Sequence, residues 1–258
     1  TQKSEFCENQ SLSWFLTGVP LSFYNAVIST NLEKKEVDRK IDMLLRYYQM
    51  RHVPVMWWIS PSTRPKNLGV HLRKHGFVHH ADLLGMAADL KEIANREIGN
   101  EKILIRRVND VEHLKYWMYV FQKGFRIPDE IAGSIFEFER EIGFSPDLPW
   151  QRYVGFVGKE PACTSGLFLG KEAAGIYNVS TLPSFRHRGF GSAITIKTLQ
   201  DAHSLGYRIG VLQSSNAGQE LYRRIGFQPY CMMSQYVWLR KEIKKSRFTA
   251  KNTLNSRG

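Results

Sequence analysis

Two hydrophobic patterns alternate along the C-terminal part of the chain. Apolar runs of six or seven residues predict β-strands over Ile103–Val108, Tyr153–Gly158, Cys163–Leu169, Gly175–Thr181, Arg208–Gln213, Phe227–Met232 and Ser234–Leu239. Longer segments whose apolar residues recur three or four positions apart predict helices over Val111–Lys123, Asp129–Ile142, Gly189–Leu205 and Ala217–Ile225. Strands and helices mixed in this order predict an α/β (α+β) fold.

The first ninety residues repeat part of this pattern. The apolar run Val53–Ile59 leads into SPSTRP, as Ile176–Leu182 leads into PSFRHRGFG. Residues 72–77 (LRKHGF) match residues 222–227 (YRRIGF), and both are typical of a helix that ends at Gly before a strand. In the first half the predicted helix over 64–75 follows its strand almost directly. We therefore predict two related halves, of which the first has lost its middle helix and strand.

A charged segment, Ala88–Lys102, separates the halves and predicts a linker or a surface helix. The predicted domains are residues 1–95, a second domain over 100–240, and a basic flexible tail over 241–258. From Arg240 onward seven basic residues stand against Glu242 alone, which is half of the net charge of +12. Such runs are more often solvated chain ends than binding arms, so nucleic-acid binding through the tail is a disfavoured alternative.

Other classes of protein are excluded by shorter arguments. No apolar run is long enough to cross a bilayer, and no charged start precedes an apolar segment, so we expect neither a membrane span nor a secretory signal. Cys7, Cys163 and Cys231 are widely spaced, which argues against a disulfide framework and predicts a cytoplasmic protein. His71 and His75 lie four residues apart, but no HExxH glutamate accompanies them. We predict a solvated helix face there and no metal.

The segment between the strand Gly175–Thr181 and the helix Gly189–Leu205 carries the most specific chemistry. It reads Arg186, His187, Arg188, Gly189, Phe190, Gly191 and Ser192. Glycines one residue apart allow successive N–H groups to converge on an anion, and the start of a helix adds free N–H donors and a positive dipole end. The segment lacks the Lys-Ser/Thr of an ATP-binding loop and the third glycine of a dinucleotide loop. It therefore predicts a pyrophosphate site that belongs to another cofactor.

Arg186-x-x-Gly189-x-Gly191 follows the strand residues YNVSTLP, and a helix, a strand and a helix ending in YRRIGF come after it. This arrangement resembles the GNAT superfamily of acetyl-CoA-dependent N-acetyltransferases. The resemblance covers roughly residues 103–239 and is strongest over 175–227. The first ninety residues resemble the degenerate N-terminal half of some bacterial tandem members. The resemblance implies a mixed, mostly antiparallel sheet flanked by helices, with a smaller degenerate GNAT-like N-terminal domain.

The resemblance also implies a site and a mechanism. Backbone groups of Val179, Ser180 and Thr181 would pair with the pantetheine arm, and the loop 186–192 would hold the pyrophosphate. The amine of a small molecule or peptide would attack the thioester directly, and Tyr222 would protonate the departing thiolate. The family often has Asn seven residues before this tyrosine, where this sequence has Ser215, with Asn216 one residue later. Either residue could contact the cofactor.

Several points stay open. Leu72 stands where the second half has Tyr222, so the first half would shape the acceptor site or simply pack. The general base could be Glu137, Glu139 or Glu141 on a helix that by analogy lines the acceptor cleft, although a charged outer face or a water chain explains these residues equally well. A non-catalytic protein that senses acyl-CoA would need the same loop. The oligomeric state, monomer or homodimer, is left open.

Overall fold

The computed structural model describes residues 4–99 and 102–239, and its internal contacts divide the chain into two units. Among the described residues, the first unit contains 4–84, 215–217 and 231–239, and the second contains 85–214 and 218–230. The predicted tail over 241–258 lies outside the described residues. Because the contact units interleave along the chain, they do not test the predicted domains 1–95 and 100–240, which stay a prediction.

The elements follow one another in mixed order. The strands are β1 (Glu5–Glu8), β2 (Leu12–Leu16), β3 (Asn25–Thr30), β4 (Val55–Ile59), β5 (Val78–Asp89), β6 (Ile103–Arg107), β7 (Trp150–Val157), β8 (Glu160–Leu169), β9 (Ala174–Thr181), β10 (Ile209–Ser214) and β11 (Gln228–Trp238). The helices are α1 (Val37–Met50), α2 (Leu68–Lys74), α3 (Leu90–Ala94), α4 (Val111–Phe125), α5 (Asp129–Ile142), α6 (Phe190–Ser204) and α7 (Gln219–Ile225).

In the first unit β1, β2 and β3 pair as antiparallel neighbours, and β3 runs parallel to β4. Residues 234–238 of β11 pair antiparallel with β4 on its other side. The core of this unit includes Trp57, whose indole Nε1 donates to Thr30 Oγ1 at 2.9 Å, and Leu72, which is fully buried. Leu72 is therefore a core residue. This agrees with the absence, at this position of the first half, of the tyrosine that the second half has as Tyr222.

Helix α2 does not have the solvated face that the sequence predicts. His71 Nδ1 lies 2.9 Å from Asp38 Oδ1, and His75 Nδ1 lies 2.8 Å from Asp42 Oδ1, so both imidazoles are half-buried against α1. The hydrogen bonds from His71 and His75 hold the pKa of Asp38 below its usual value. Among residues 4–99 and 102–239 no group of three or more His, Cys, Asp or Glu side chains could hold a metal ion.

In the second unit β6, β7, β8 and β9 are antiparallel neighbours in chain order, and β10 joins β9 in parallel. Helix α6 packs on one face, where Ser165 Oγ lies 2.6 Å from Thr198 Oγ1. Helix α5 packs on the opposite face through Glu139, which accepts from Arg152 at 2.9 Å. The predicted mostly antiparallel sheet flanked by helices is thus confirmed. None of the described helices has the length and apolarity that a bilayer span requires.

The largest correction to the predicted elements concerns β11. The sequence predicts two strands, Phe227–Met232 and Ser234–Leu239, but one continuous strand covers residues 228–238. The strand continues through Met233, which separates the two predicted strands, and Ser234 pairs with Ile59 of β4 while its Oγ donates to Asp82 Oδ1 at 2.6 Å. The charged segment Ala88–Lys102 is also divided, since its first residues end β5 and the short helix α3 follows.

Candidate functional site

Strands β9 and β10 separate soon after they begin. Their register contains only two pairs, Gly210 with Ala174 and Val211 with Gly175. Beyond Gly175 the described part of β9 has β8 on one side and no register partner in β10. A strand edge with free N–H and C=O groups can pair with an extended ligand. The opening lies beside Val179, Ser180 and Thr181, which are half-buried.

A β-bulge interrupts β9 at this opening. The register with β8 shifts between the pair Thr164–Ser180 and the pair Gly166–Tyr177, which leaves an extra residue in β9. Asn178 adopts a positive φ of 53°, and its carbonyl accepts a 3.0 Å hydrogen bond from Thr164 Oγ1. Sequence analysis missed this bulge, although Asn is among the residues that best tolerate a positive φ.

In the loop before α6 the polar and charged residues are exposed and one aromatic residue is buried. Arg186, His187, Arg188 and Gly189 are exposed, whereas Phe190 is buried. His187 and Gly189 flank Arg188 and have positive φ values of 59° and 78°. The backbone therefore turns sharply once before Arg188 and once after it. The Arg188 guanidinium lies over the Phe190 ring, 5.0 Å from its centroid, which places a positive charge at the first turn of the helix.

The donor set of this loop fits an anion. The first helical hydrogen bond runs from the N–H of Ala193 to the carbonyl of Gly189 at 3.0 Å, so the N–H groups of Phe190, Gly191 and Ser192 have no partner within the helix. A Cβ atom on Gly191 would lie 3.2 Å from Leu221 Cδ1 and 3.5 Å from Thr181 Oγ1. The loop, the end of β9 and helix α7 therefore meet at Gly191 with little room for a side chain.

Tyr222 lies on the short helix α7. Its ring packs edge-on against Phe227 with centroids 5.9 Å apart, and burial raises the pKa of its phenol to about 12. Its hydroxyl has no hydrogen-bond partner among the residues that the structure describes. A protonated phenol of this kind can donate a proton. Its neighbour Leu221 contacts the position of Gly191, so α7 lies beside the loop.

Ser215 and Asn216 follow the end of β10 and are both exposed. Asn216 begins a 3-10 turn over Asn216–Gly218, which is why α7 starts two residues later than predicted. Both residues belong to the first contact unit.

The three glutamates of α5 have different environments. Glu137 is exposed and pairs with Arg140 at 2.5 Å, and Glu141 is also exposed. Glu139 is buried, where its Oε2 accepts from Arg152 Nη1 and from Trp150 Nε1, each at 2.9 Å. A carboxylate held by two donors inside the protein is structural rather than a free base.

Comparisons with known proteins agree with this fold. Residues 153–239 match a family described as FR47-like protein. A GCN5-related N-acetyltransferase from Kribbella flavida superposes with a TM-score of 0.71 at 14% identity, covering 93% of this chain and 91% of that one. A GCN5-related N-acetyltransferase from Sphaerobacter thermophilus gives 0.55 at 17% identity, with 91% and 75% covered. A tandem GNAT protein from the clavulanic acid biosynthesis pathway gives 0.57 at 13% identity, with 88% and 78% covered. No curated protein matches the sequence.

Proposed function

We propose that this chain, whose fold is that of the GNAT superfamily, transfers an acetyl group from acetyl-CoA to an amine of a small molecule or peptide. The resemblance to that superfamily is confirmed, and the likeness to its structures supports acyl transfer as the class of reaction. One observation carries the proposal. The strand opening between β9 and β10 lies next to the free amides that begin α6, and both meet α7 at Gly191.

Each part of this arrangement has a role in the proposed reaction. The acetyl donor would be the thioester of CoA, which the acceptor amine attacks directly. The amides of Phe190, Gly191 and Ser192, with Arg186 and Arg188, hold the pyrophosphate. The free edge of β9 at Val179–Thr181 orients the pantetheine arm. Tyr222 gives its phenolic proton to the sulfur that leaves, because a thiolate is a poorer leaving group than a thiol.

Two further assignments belong to the proposal. His187, Gly189 and either Ser215 or Asn216 complete the contacts to the cofactor. The first half is a GNAT-like half that has lost its phosphate site, since Arg64 of its corresponding loop donates to the carbonyls of Ser62 and Thr63 instead. The three cysteines are all free thiols, which supports the cytoplasm as its compartment.

Reversing the charge at Arg186 or filling the space at Gly191 should abolish tight cofactor binding. We expect Arg186→Glu and Gly191→Trp each to raise the calorimetric Kd for acetyl-CoA by about 10- to 100-fold, the range of a lost charge-assisted hydrogen bond. Arg46→Glu is the matched control, because Arg46 is an exposed arginine of α1. Circular dichroism checks that each variant folds. An unchanged Kd in both variants would contradict the assigned phosphate site.

A further inference from the structure

Two aromatic rings lie together on the face of the second unit's sheet that is opposite α6. The rings are those of Trp150 on β7 and Tyr177 on β9, with centroids 6.3 Å apart and planes inclined at 55°. Trp150 and Tyr177 share this face because the residues between them on β8 pair with both strands in register. We call the two rings the aromatic corner.

Two glycines make the aromatic corner possible. A Cβ atom on Gly166 would lie 2.3 Å from the Trp150 ring, and a Cβ on Gly175 would lie 2.6 Å from the Tyr177 ring. The outer edge of each ring therefore occupies the space above a position that has no side chain. A side chain at Gly166 or Gly175 would displace the ring that lies above it.

The two rings are held differently. Trp150 is fixed because its Nε1 donates to Glu139, which Arg152 also holds. Tyr177 is 37% exposed, and its hydroxyl has no hydrogen-bond partner among the described residues. Burial by the surrounding protein nevertheless raises the pKa of the Tyr177 phenol. The aromatic corner thus combines the fixed ring of Trp150 with the accessible ring of Tyr177.

The aromatic corner lies where an acceptor has to arrive. Tyr177 directly precedes Asn178, the bulge residue at the opening of β9. Helix α6, whose start carries the proposed phosphate site, packs on the other face through Thr198. An arm that enters from the α6 side would leave the opposite face for the attacking amine, where α4 packs against Ser180 through Gly124 but Tyr177 stays exposed. That face presents the aromatic corner next to the opening.

We propose that the aromatic corner binds the ring of the acceptor, so that the substrate is a primary amine on a short chain attached to an aromatic ring. Stacking on Trp150 and Tyr177 would hold such a ring, and the amine on its short chain would lose a proton to water before it attacks. The guanidinium of Arg152, which lies on the same face, is buried and bonded to Glu139, so it is not free to bind an acidic substituent. Amino acids and phosphorylated amines are therefore disfavoured. The inference rests on the proposed function.

Tyr177→Ala tests the inference without removing a structural hydrogen bond. For 2-phenylethylamine we expect KM to rise about tenfold or more and kcat to change little. For ethylamine, which has no ring, KM should stay the same, as should the calorimetric Kd for acetyl-CoA. Wild-type protein should have a much lower KM for 2-phenylethylamine than for phenylalanine. Tyr119→Ala is the matched control, because Tyr119 is an exposed tyrosine of α4.

A second measurement is independent of turnover. With CoA bound, calorimetric titration of 2-phenylethylamine should give a weaker Kd for Tyr177→Ala and a nearly unchanged Kd for Tyr177→Phe, which keeps the ring. If the alanine variant binds and acetylates 2-phenylethylamine as wild type does, the inference fails while the proposed function stands. If the wild-type protein neither binds acetyl-CoA nor acetylates any amine, both fail together.

Discussion

Tyr222→Phe is expected to lower kcat by about 10²- to 10⁴-fold, the usual contribution of a positioned general acid. The change removes only the hydroxyl, and that group has no hydrogen-bond partner among the described residues. Packing against Phe227 should persist, so the fold and the Kd for acetyl-CoA should stay within about twofold of wild type. Release of free thiol measures kcat, and calorimetry measures the Kd.

The pH dependence of kcat provides a second test of Tyr222 as the general acid. A general acid is active in its protonated form, and burial raises the pKa of Tyr222 to about 12. Because the shift is upward, the phenol keeps its proton as the pH rises through the ordinary tyrosine pKa of about 10. We expect no loss of kcat from this residue between about pH 7 and 10. An alkaline fall in wild-type kcat that disappears in Tyr222→Phe, with a midpoint below 10, would contradict the buried acid.

Tyr230→Phe is the matched control, since Tyr230 is 74% exposed on β11. It should leave kcat unchanged. If Tyr222→Phe retains wild-type kcat, Tyr222 is a packing residue and the proton must come from water or another group.

Sequence patterns correctly predicted those helices and connections whose ends are set by neighbouring residues. Helix α5 was predicted over Asp129–Ile142 and occurs there, because Pro128 precedes it and Gly143 ends it with a φ of 89°. The segment from Arg186 to Ser192 was predicted to connect a strand to a helix and does so. Helix α1 was not predicted, although Val37, Ile41 and Leu45 show the four-residue spacing that indicates a helix.

The site depends on features that local sequence does not determine. The opening between β9 and β10 is a property of strand pairing, which joins residues more than thirty positions apart. The direction of Glu139 could not be predicted either. Helical spacing shows that Glu139 points away from Glu137 and Glu141, but it does not show which side faces the sheet. Only the structure shows that the isolated carboxylate is the buried one.

Glu139→Ala is expected to lower the free energy of unfolding by about 3–5 kcal/mol, because it leaves the charge of Arg152 buried and uncompensated. The side chains of Arg152 and Glu139 are only 1% and 2% exposed. Arg152 Nε already has no hydrogen-bond partner in the described structure, so the guanidinium has little to replace the lost carboxylate. Denaturant unfolding should show a lower midpoint with an unchanged slope.

The exposed pair on the same helix provides the control. Glu137 and Arg140 are 52% and 48% exposed, so Glu137→Ala should cost no more than about 0.5 kcal/mol. The double variant Glu139→Leu, Arg152→Met removes both charges and should recover most of the stability lost in Glu139→Ala. An equal loss in the Glu137 and Glu139 variants would contradict the buried ion pair.

Kinetic measurement of a different variant, Glu139→Gln, separates the structural role of Glu139 from a role as general base. A base would be needed for turnover whatever its effect on stability, so Glu139→Gln would lose kcat while the protein stayed folded. If the Glu139 carboxylate is only structural, Glu139→Gln keeps its kcat, because the amide oxygen of Gln still accepts a hydrogen bond from Trp150 or Arg152. We expect Glu139→Gln to retain kcat in the folded fraction and to lose stability, because its neutral amide no longer balances the guanidinium charge. The proton of the acceptor would then pass to water or to an exposed group, since the Glu139 carboxylate is buried and already bonded to Arg152.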